Sequence, residues 1–253
     1  MRNASPFSLN GKVAVVTGAN TGLGQGLAVA LAEAGADIVA VGRSDAPETE
    51  KAVIAAGRRF HFVRADLGDA GASENVIASA EKAGGAVDIL VNNAGIIRRC
   101  DAIDFTETDW DEVMDVNLKS VFFLSQAAAR RMMRKGSGKI INIASMLSFQ
   151  GGVRVASYTA SKSGVAGLTK LLANEWAGKG VNVNAIAPGY FATNNTAALR
   201  ADEKRNNEIL ARIPAGRWGA PEDLGGAAVF LASAAANYVH GTIIAVDGGW
   251  LAR

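Results

Sequence analysis

Residues 13–34 leave little freedom in how this chain begins to fold. A β-branched run, VAVVT, passes through Gly18-Ala19-Asn20-Thr21-Gly22-Leu23-Gly24 into a segment whose apolar residues Leu23, Leu27, Ala30, Leu31 and Ala34 recur at helical spacing. A strand that feeds a glycine turn and then a one-sided helix opens a βαβ unit, and the helix must lay its apolar face on a sheet. Glycine in that turn lets backbone approach a ligand closely. The helix N-terminus then presents free N–H groups and the positive end of its dipole, which suits a diphosphate. The glycines are spaced G-x-x-x-G-x-G rather than G-x-G-x-x-G. Gly35, just past the helical run, reads as its C-terminal cap.

The alternation continues through DIVAVG, FHFVRAD, a helix from Val76 to Ala83, DILVNNAG, a long helix containing Trp110 to Arg134, KIINIAS, a helix from about Tyr158 to Trp176, VNVNAIAP and TIIAVD. Such a pattern predicts an α/β fold of Rossmann type: a doubly wound parallel sheet of about seven strands with helices on both faces. With no linker, repeat or low-complexity block, residues 1–253 read as a single dinucleotide-binding and catalytic domain. Between Ala187 and Pro221 the alternation stops and a polar stretch, NNTAALRADEKRNNEIL, intervenes. At the carboxyl edge of an open sheet, residues from about 189 to 220 are placed to form a substrate lid; a surface helix pair away from any ligand is the alternative.

Several function classes fall away. Lys and Arg number 26 against 24 Asp and Glu, and no basic stripe interrupts this balance, so nucleic acid is not an expected partner. Cys100 is the single cysteine, and His61 and His240 are the only histidines, so neither an internal disulfide nor a zinc cluster is expected, and no metal. The first twelve residues hold no apolar run of signal-peptide length, and the expectation is a cytoplasmic protein. Leu224 to Val246 is uncharged and long enough to span a bilayer, but Ser233, Asn237, His240 and glycine breaks divide it, and no membrane partner is expected.

Tyr158 and Lys162 stand four residues apart in a helical stretch, so both address the same site. A phenol ionises near ~10, and a neighbouring ammonium favours its phenolate. Ser145 ends the KIINIAS run nearby. TGANTGLG, NNAG at 92–95, Asn117, Ser145, YTASK at 158–162 and PG at 188–189 together resemble the short-chain dehydrogenase/reductase family, in order and over essentially the whole chain. The resemblance implies a nicotinamide-dependent oxidoreductase that interconverts a secondary alcohol and a ketone. It casts Asn117, Ser145, Tyr158 and Lys162 as catalytic. Tyr158 would move the proton, Ser145 hold the substrate oxygen, Lys162 also grip the nicotinamide ribose, and Asn117 support a proton-relay water. It assigns the cofactor to Gly18, Asn20, Gly22, Leu23, Gly24, Arg43, Asp66, Leu67, Asn93, Ala94, Gly95, Tyr158, Lys162, Pro188, Gly189 and Thr193. Asp66 would contact adenine, with a helix-capping role as the alternative, and Thr193 the carboxamide. A homotetramer is also implied, with Trp250 either at a subunit contact or buried in its own chain.

The choice of nicotinamide is divided. An acid at the end of the second strand takes the ribose hydroxyls of NAD, and an arginine suits the 2′-phosphate of NADP. Here Gly42 stands where the acid would be and Arg43 follows. Thr21 occupies the loop position where a second basic residue would favour NADP, and Arg43 could instead stack on adenine or be solvated. The segments IIRR (96–99), INIASMLSFQGGVRVASYTASKSG (141–164), NAIAPGYFATNNT (184–196), RIPAGRWG (212–219) and AVDGGWLAR (245–253) resemble a branch of the family acting on deoxy and keto sugar acids of the 2-deoxy-D-gluconate and 2-dehydro-3-deoxy-D-gluconate type. That branch implies NAD, which is the expectation, with NADP open because of Gly42-Arg43. A sugar acid also needs a cation for its carboxylate, and Arg154, Arg98 and Arg99 are candidates, with Gln150 for hydroxyls. A 3-oxoacyl-carrier-protein reductase is the competing enzyme. A non-catalytic dinucleotide sensor could dispense with Tyr158 or Lys162, and this chain has both.

Overall fold

The computed structural model describes residues 5–69 and 71–252. Seven parallel strands are ordered β3-β2-β1-β4-β5-β6-β7: β1 Val13–Thr17, β2 Asp37–Gly42, β3 Phe60–Arg64, β4 Ile89–Asn92, β5 Gly138–Ile143, β6 Val181–Pro188 and β7 Ile243–Val246. Alternate residues of each strand feed two cores. Ala14, Val16, Ile38, Ala40, Ile141 and Ile186 pack on one face with Leu27 and Leu31 of α1 (Gly22–Glu33), Val53 of α2 (Pro47–Ala55) and other apolar side chains. Val13, Val15, Val39, Val41, Leu90 and Ile140 pack on the opposite face against α3 (Ala72–Gly84) and further helices. Burial on both faces is why these strands read as near-continuous apolar runs.

Helix α1 ends at Ala34, and Gly35 follows at φ 111° with its N–H on the Ala32 carbonyl, so the expected glycine stop lies one residue beyond the cap. The long helix expected through Trp110 to Arg134 is broken in its hydrogen-bond pattern. α4 (Glu107–Met114) passes through a π turn at Asp115–Lys119 before α5 (Ser120–Lys135) begins. The inserted residue turns the helix face by about 100°, but Asp115–Lys119 holds no Pro or Gly to mark the break, so the two helices read as one. The catalytic-motif helix, α6, runs Ala156–Trp176.

Beyond β6 the polar stretch forms α7 (Ala197–Ala201) and α8 (Glu203–Arg212), and α9 (Gly225–Ala232) returns the chain to the sheet. The segment Leu224 to Val246 is thus a short helix, a turn and an edge strand, and no helix among the described residues is long and apolar enough to cross a membrane. The strand order reverses between β1 and β4, which opens a crevice at their carboxyl ends.

Candidate active site

Thr17 closes the crevice floor. Its hydroxyl accepts the N–H groups of Asn93 and Ala94, both at 3.0 Å, while the Asn93 amide donates to the Thr17 carbonyl at 2.9 Å. The turns that follow β1 and β4 are therefore bolted together. Gly18 and Gly22 sit at φ 65° and 57°, where other residues are strained, and a Cβ on Gly24 would lie 2.1 Å from the Gly18 carbonyl oxygen. The N-terminus of α1 has no acidic side chain in its first turn and no side-chain cap, so its N–H groups face the crevice. That arrangement fits the diphosphate of a dinucleotide.

The crevice has a volume of about 780 Å³. Its walls include Gly18, Asn20, Gly22, Leu23, Gly24, Arg43, Asp66, Leu67, Asn93, Ala94, Gly95, Tyr158, Lys162 and Thr193 from the sequence-based set. Pro188 and Gly189 stand behind it at the end of β6, where a Cβ on Gly189 would meet Asp247 Cα at 2.5 Å, so this glycine permits two strand ends to approach. Thr21, Ser44, Ile96, Thr108, Asp111, Glu112, Asp115, Val116, Asn194 and Asn195 also line it, and none was assigned from sequence. Most belong to α4, its π turn and the segment after β6, which carry no local motif. Asp66 accepts the Gly68 N–H at 3.0 Å and so shapes a turn; the cap residue of α3 is Gly71.

At the far end of the crevice Gly42 leaves room beside Ser44, whose hydroxyl accepts from the Asn20 amide at 2.9 Å. Arg43 is exposed and stands 3.8 Å from Asp66. Arg64 donates to the Arg43 carbonyl at 2.6 Å and pairs with Asp45, fixing the turn that carries Arg43.

At the other end, the first turn of α6 brings Tyr158 to the crevice, and Lys162 follows one turn later. The Lys162 ammonium is buried, donates to the Ile143 carbonyl at 2.6 Å and lies 5.7 Å from the centre of the Tyr158 ring. Burial pulls Lys162 down to about 8. Burial raises the Tyr158 phenol above its ordinary range, opposed by the Ser145 hydrogen bond and the charge of Arg99. Ser145 itself accepts the Leu147 N–H at 3.1 Å. Asn117 lies in the π turn, fully buried, with its amide donating to the Ile96 carbonyl at 2.9 Å and accepting the Ile96 N–H at 2.8 Å. It holds the strand exit that follows NNAG. Neither Asn117 nor Ser145 forms part of the crevice wall, and both stand directly behind it through these contacts.

The candidate carboxylate-binding residues separate clearly. Arg98 lines the crevice but is paired with Glu112 at 2.6 Å and Asp109 at 3.4 Å. Arg154 adopts φ 63° and pairs with Asp101 at 2.9 Å on exposed loops outside the crevice wall. Gln150 accepts from Trp250 Nε1 at 3.4 Å and Arg212 at 3.5 Å. Arg99 donates to the Asn195 carbonyl at 3.3 Å and reaches Tyr158 electrostatically. Trp250 is buried in its own chain, against Tyr190 at 4.8 Å and under the Arg212 guanidinium at 4.0 Å. Among the described residues no group of three or more His, Cys, Asp or Glu could hold a metal ion.

Residues 18–251 match the family described as enoyl-(acyl carrier protein) reductase. The 2-dehydro-3-deoxy-D-gluconate 5-dehydrogenase of Dickeya dadantii is 64% identical over 248 residues, which are 98% of each chain. A candidate 2-deoxy-D-gluconate 3-dehydrogenase from Agrobacterium tumefaciens, solved with bound NADP, superposes with a TM-score of 0.94 at 62% identity, covering 99% of this chain and 100% of that one. A gluconate 5-dehydrogenase from Burkholderia cenocepacia, in complex with NADP and tartrate, gives 0.93 at 42% identity with 98% of each chain covered.

Proposed function

Because the chain belongs to the short-chain dehydrogenase/reductase family and is an NAD(P)-dependent oxidoreductase of CH–OH groups, we propose that it interconverts the secondary alcohol and ketone of a keto-deoxy sugar acid of the 2-dehydro-3-deoxy-D-gluconate type. The observation that carries this reading is the 64% identity to a dehydrogenase of that name along 98% of both chains, supported by a crevice that Tyr158 and Lys162 line. When bound, the nicotinamide supplies or accepts the hydride. In the reducing direction Tyr158 gives its proton to the substrate oxygen and Ser145 donates a hydrogen bond to the same atom. Burial keeps the free-enzyme phenol protonated at neutral pH, the state that reduction uses. In oxidation Tyr158 takes the proton back, and Lys162, charged below about 8, favours the phenolate that does so. Asn117 fixes the backbone beside the reacting group through Ile96.

We read the cofactor as NADP rather than the NAD that the branch resemblance implies. Gly42 presents no carboxylate to a ribose, and Arg43 with Ser44 lines the place where a 2′-phosphate would lie. Two solved relatives carry NADP. The segment from about 189 to 220 acts as the substrate lid, since Thr193, Asn194 and Asn195 already form one wall of the crevice. Assembly as a homotetramer in the cytoplasm completes the reading, with light scattering as the test of assembly.

The deciding assay mixes 2-dehydro-3-deoxy-D-gluconate with the enzyme and NADP or NAD in parallel, following reduced-nicotinamide absorbance. NADP is expected to support the faster turnover, and Tyr158→Phe to lower it by about 10³-fold while still binding cofactor. Turnover by the phenylalanine variant at the parent rate would remove Tyr158 from proton transfer. Silence of the parent enzyme with both cofactors would remove the substrate.

A further inference from the structure

The turn that carries Ser145 is held to the helix that carries Tyr158 and Lys162 by two serine side chains, of which Ser148 also touches Ser145. The Ser148 hydroxyl donates to the backbone carbonyl of Lys162 at 2.7 Å and lies 3.3 Å from the Ser145 N–H. A hydroxyl has a single proton. With that proton on Lys162 the oxygen can only accept from Ser145, so the chain of bonds has one direction: Ser145 N–H to Ser148 hydroxyl to Lys162 carbonyl. The Ser145 hydroxyl is oriented by the same logic. It accepts the Leu147 N–H at 3.1 Å, which leaves its own proton for the Tyr158 oxygen.

We propose that Ser148 is a positioning residue for the ketone reduction: it sets the Ser145 turn in register with α6, so that the Ser145 hydroxyl points its proton at the Tyr158 oxygen in the free enzyme and at the substrate oxygen when substrate is bound beside it. A second tie, Ser163 to the Leu147 carbonyl at 3.3 Å, joins the same turn to the same helix but touches no group of Ser145. The two serines therefore separate alignment from anchoring. Loss of Ser148 leaves the Ser145 N–H, in a residue only 8% exposed, without its partner, and the turn is free to rotate by its own local bonds. Loss of Ser163 removes attachment and leaves the Ser145 bonds in place. The inference rests on Tyr158 and Ser145 acting on the substrate oxygen as proposed above.

The test compares Ser148→Ala, Ser148→Thr and Ser163→Ala with the parent by steady-state kinetics and by titration of Tyr158. The titration follows phenolate absorbance in the NADP complex, with Tyr158→Phe subtracted, and needs no substrate. Ser148→Ala is expected to lower kcat by about 10-fold with KM and NADP affinity within about 2-fold, and to raise the phenol's midpoint by about half a pH unit, because the Ser145 donor no longer faces it. Ser148→Thr, which restores the hydroxyl, is expected to return both towards the parent. Ser163→Ala is expected to lower Tm alone. Should Ser148→Ala fold poorly, Ser148→Cys keeps the shape with a weaker donor and should show the same two changes in smaller measure. Unchanged kcat and midpoint in Ser148→Ala would overturn the proposal, as would equal losses in Ser148→Ala and Ser163→Ala. If the parent does not turn over the sugar acid, the substrate assignment fails, and the titration still decides the role of Ser148.

Discussion

Of the three candidate arginines, Arg99 is the one without an ion pair among the described residues. Its neighbour Arg98 is committed to Glu112 and Asp109, and Arg154 is committed to Asp101. Among the described residues Arg99 meets only the Asn195 backbone carbonyl, and its charge is felt at Tyr158. A carboxylate between Arg99 and Tyr158 would gain a charge-assisted bond at little cost in broken ion pairs. Arg99→Ala is therefore expected to raise KM for the sugar acid by about 10-fold with a smaller change in kcat, and Arg154→Ala to leave both near the parent values. A KM that moves for Arg154→Ala and not for Arg99→Ala would reverse the assignment. Adjacent arginines in IIRR look alike in sequence; only the placement of α4 shows which one is neutralised.

At the scale of elements, what sequence revealed and what it hid follow from the range of the interactions involved. The glycine turn, the strands and α6 were legible because their signals are local: steric freedom at Gly18, Gly22 and Gly24, apolar runs buried on both faces, and a four-residue spacing between Tyr158 and Lys162. The π turn that presents Asn117 was hidden, since no Pro or Gly in Asp115–Lys119 marks a break in the helix, and so were the α4 residues beside it that line the crevice. The segment after β6 was visible as a polar gap, and its attachment was not. α7 buries no side chain and α8 only Ile209, while the seam beneath them is held by Tyr190, Trp218 and Trp250. A pair of helices with so little buried surface opens at low free energy. Amide exchange over 197–212 is expected to run at least about 100-fold faster than in β1 and β4 in the free enzyme, and to slow when NADP and sugar acid bind together. Equal exchange with and without ligands would show that these helices are not a lid.

The whole molecule carries the cost of burying the Lys162 ammonium and of holding the Tyr158 phenol largely out of water, and that cost can be read from the pH dependence of folding. Lys162 has its charged form disfavoured by burial, with its folded pKa near 8 against an ordinary 10.5, and half-buried Lys139 is lowered to about 8 by burial and by Lys12. Between those limits the unfolded chain binds more protons than the folded one, so stability rises as pH increases from about 8 towards 10.5. For Lys162, which is 4% exposed, the full rise is at most about 3 kcal/mol. Tyr158 acts in the opposite sense. Its folded pKa lies above the unfolded value of 10.0, so above that pH the unfolded chain loses a proton that the folded chain keeps, and stability falls. The two slopes meet near pH 10, and the cofactor-free enzyme is expected to reach its highest Tm there rather than at neutrality. Thermal unfolding from pH 7 to 11 should show the rise weakened in Lys162→Met and the fall weakened in Tyr158→Phe. The comparison uses slopes, because the methionine also strands the Ile143 carbonyl and changes absolute stability. A parent Tm that declines steadily from pH 8 would mean that solvent reaches the Lys162 ammonium in the free enzyme, and that its lowered pKa is not a property of the resting fold.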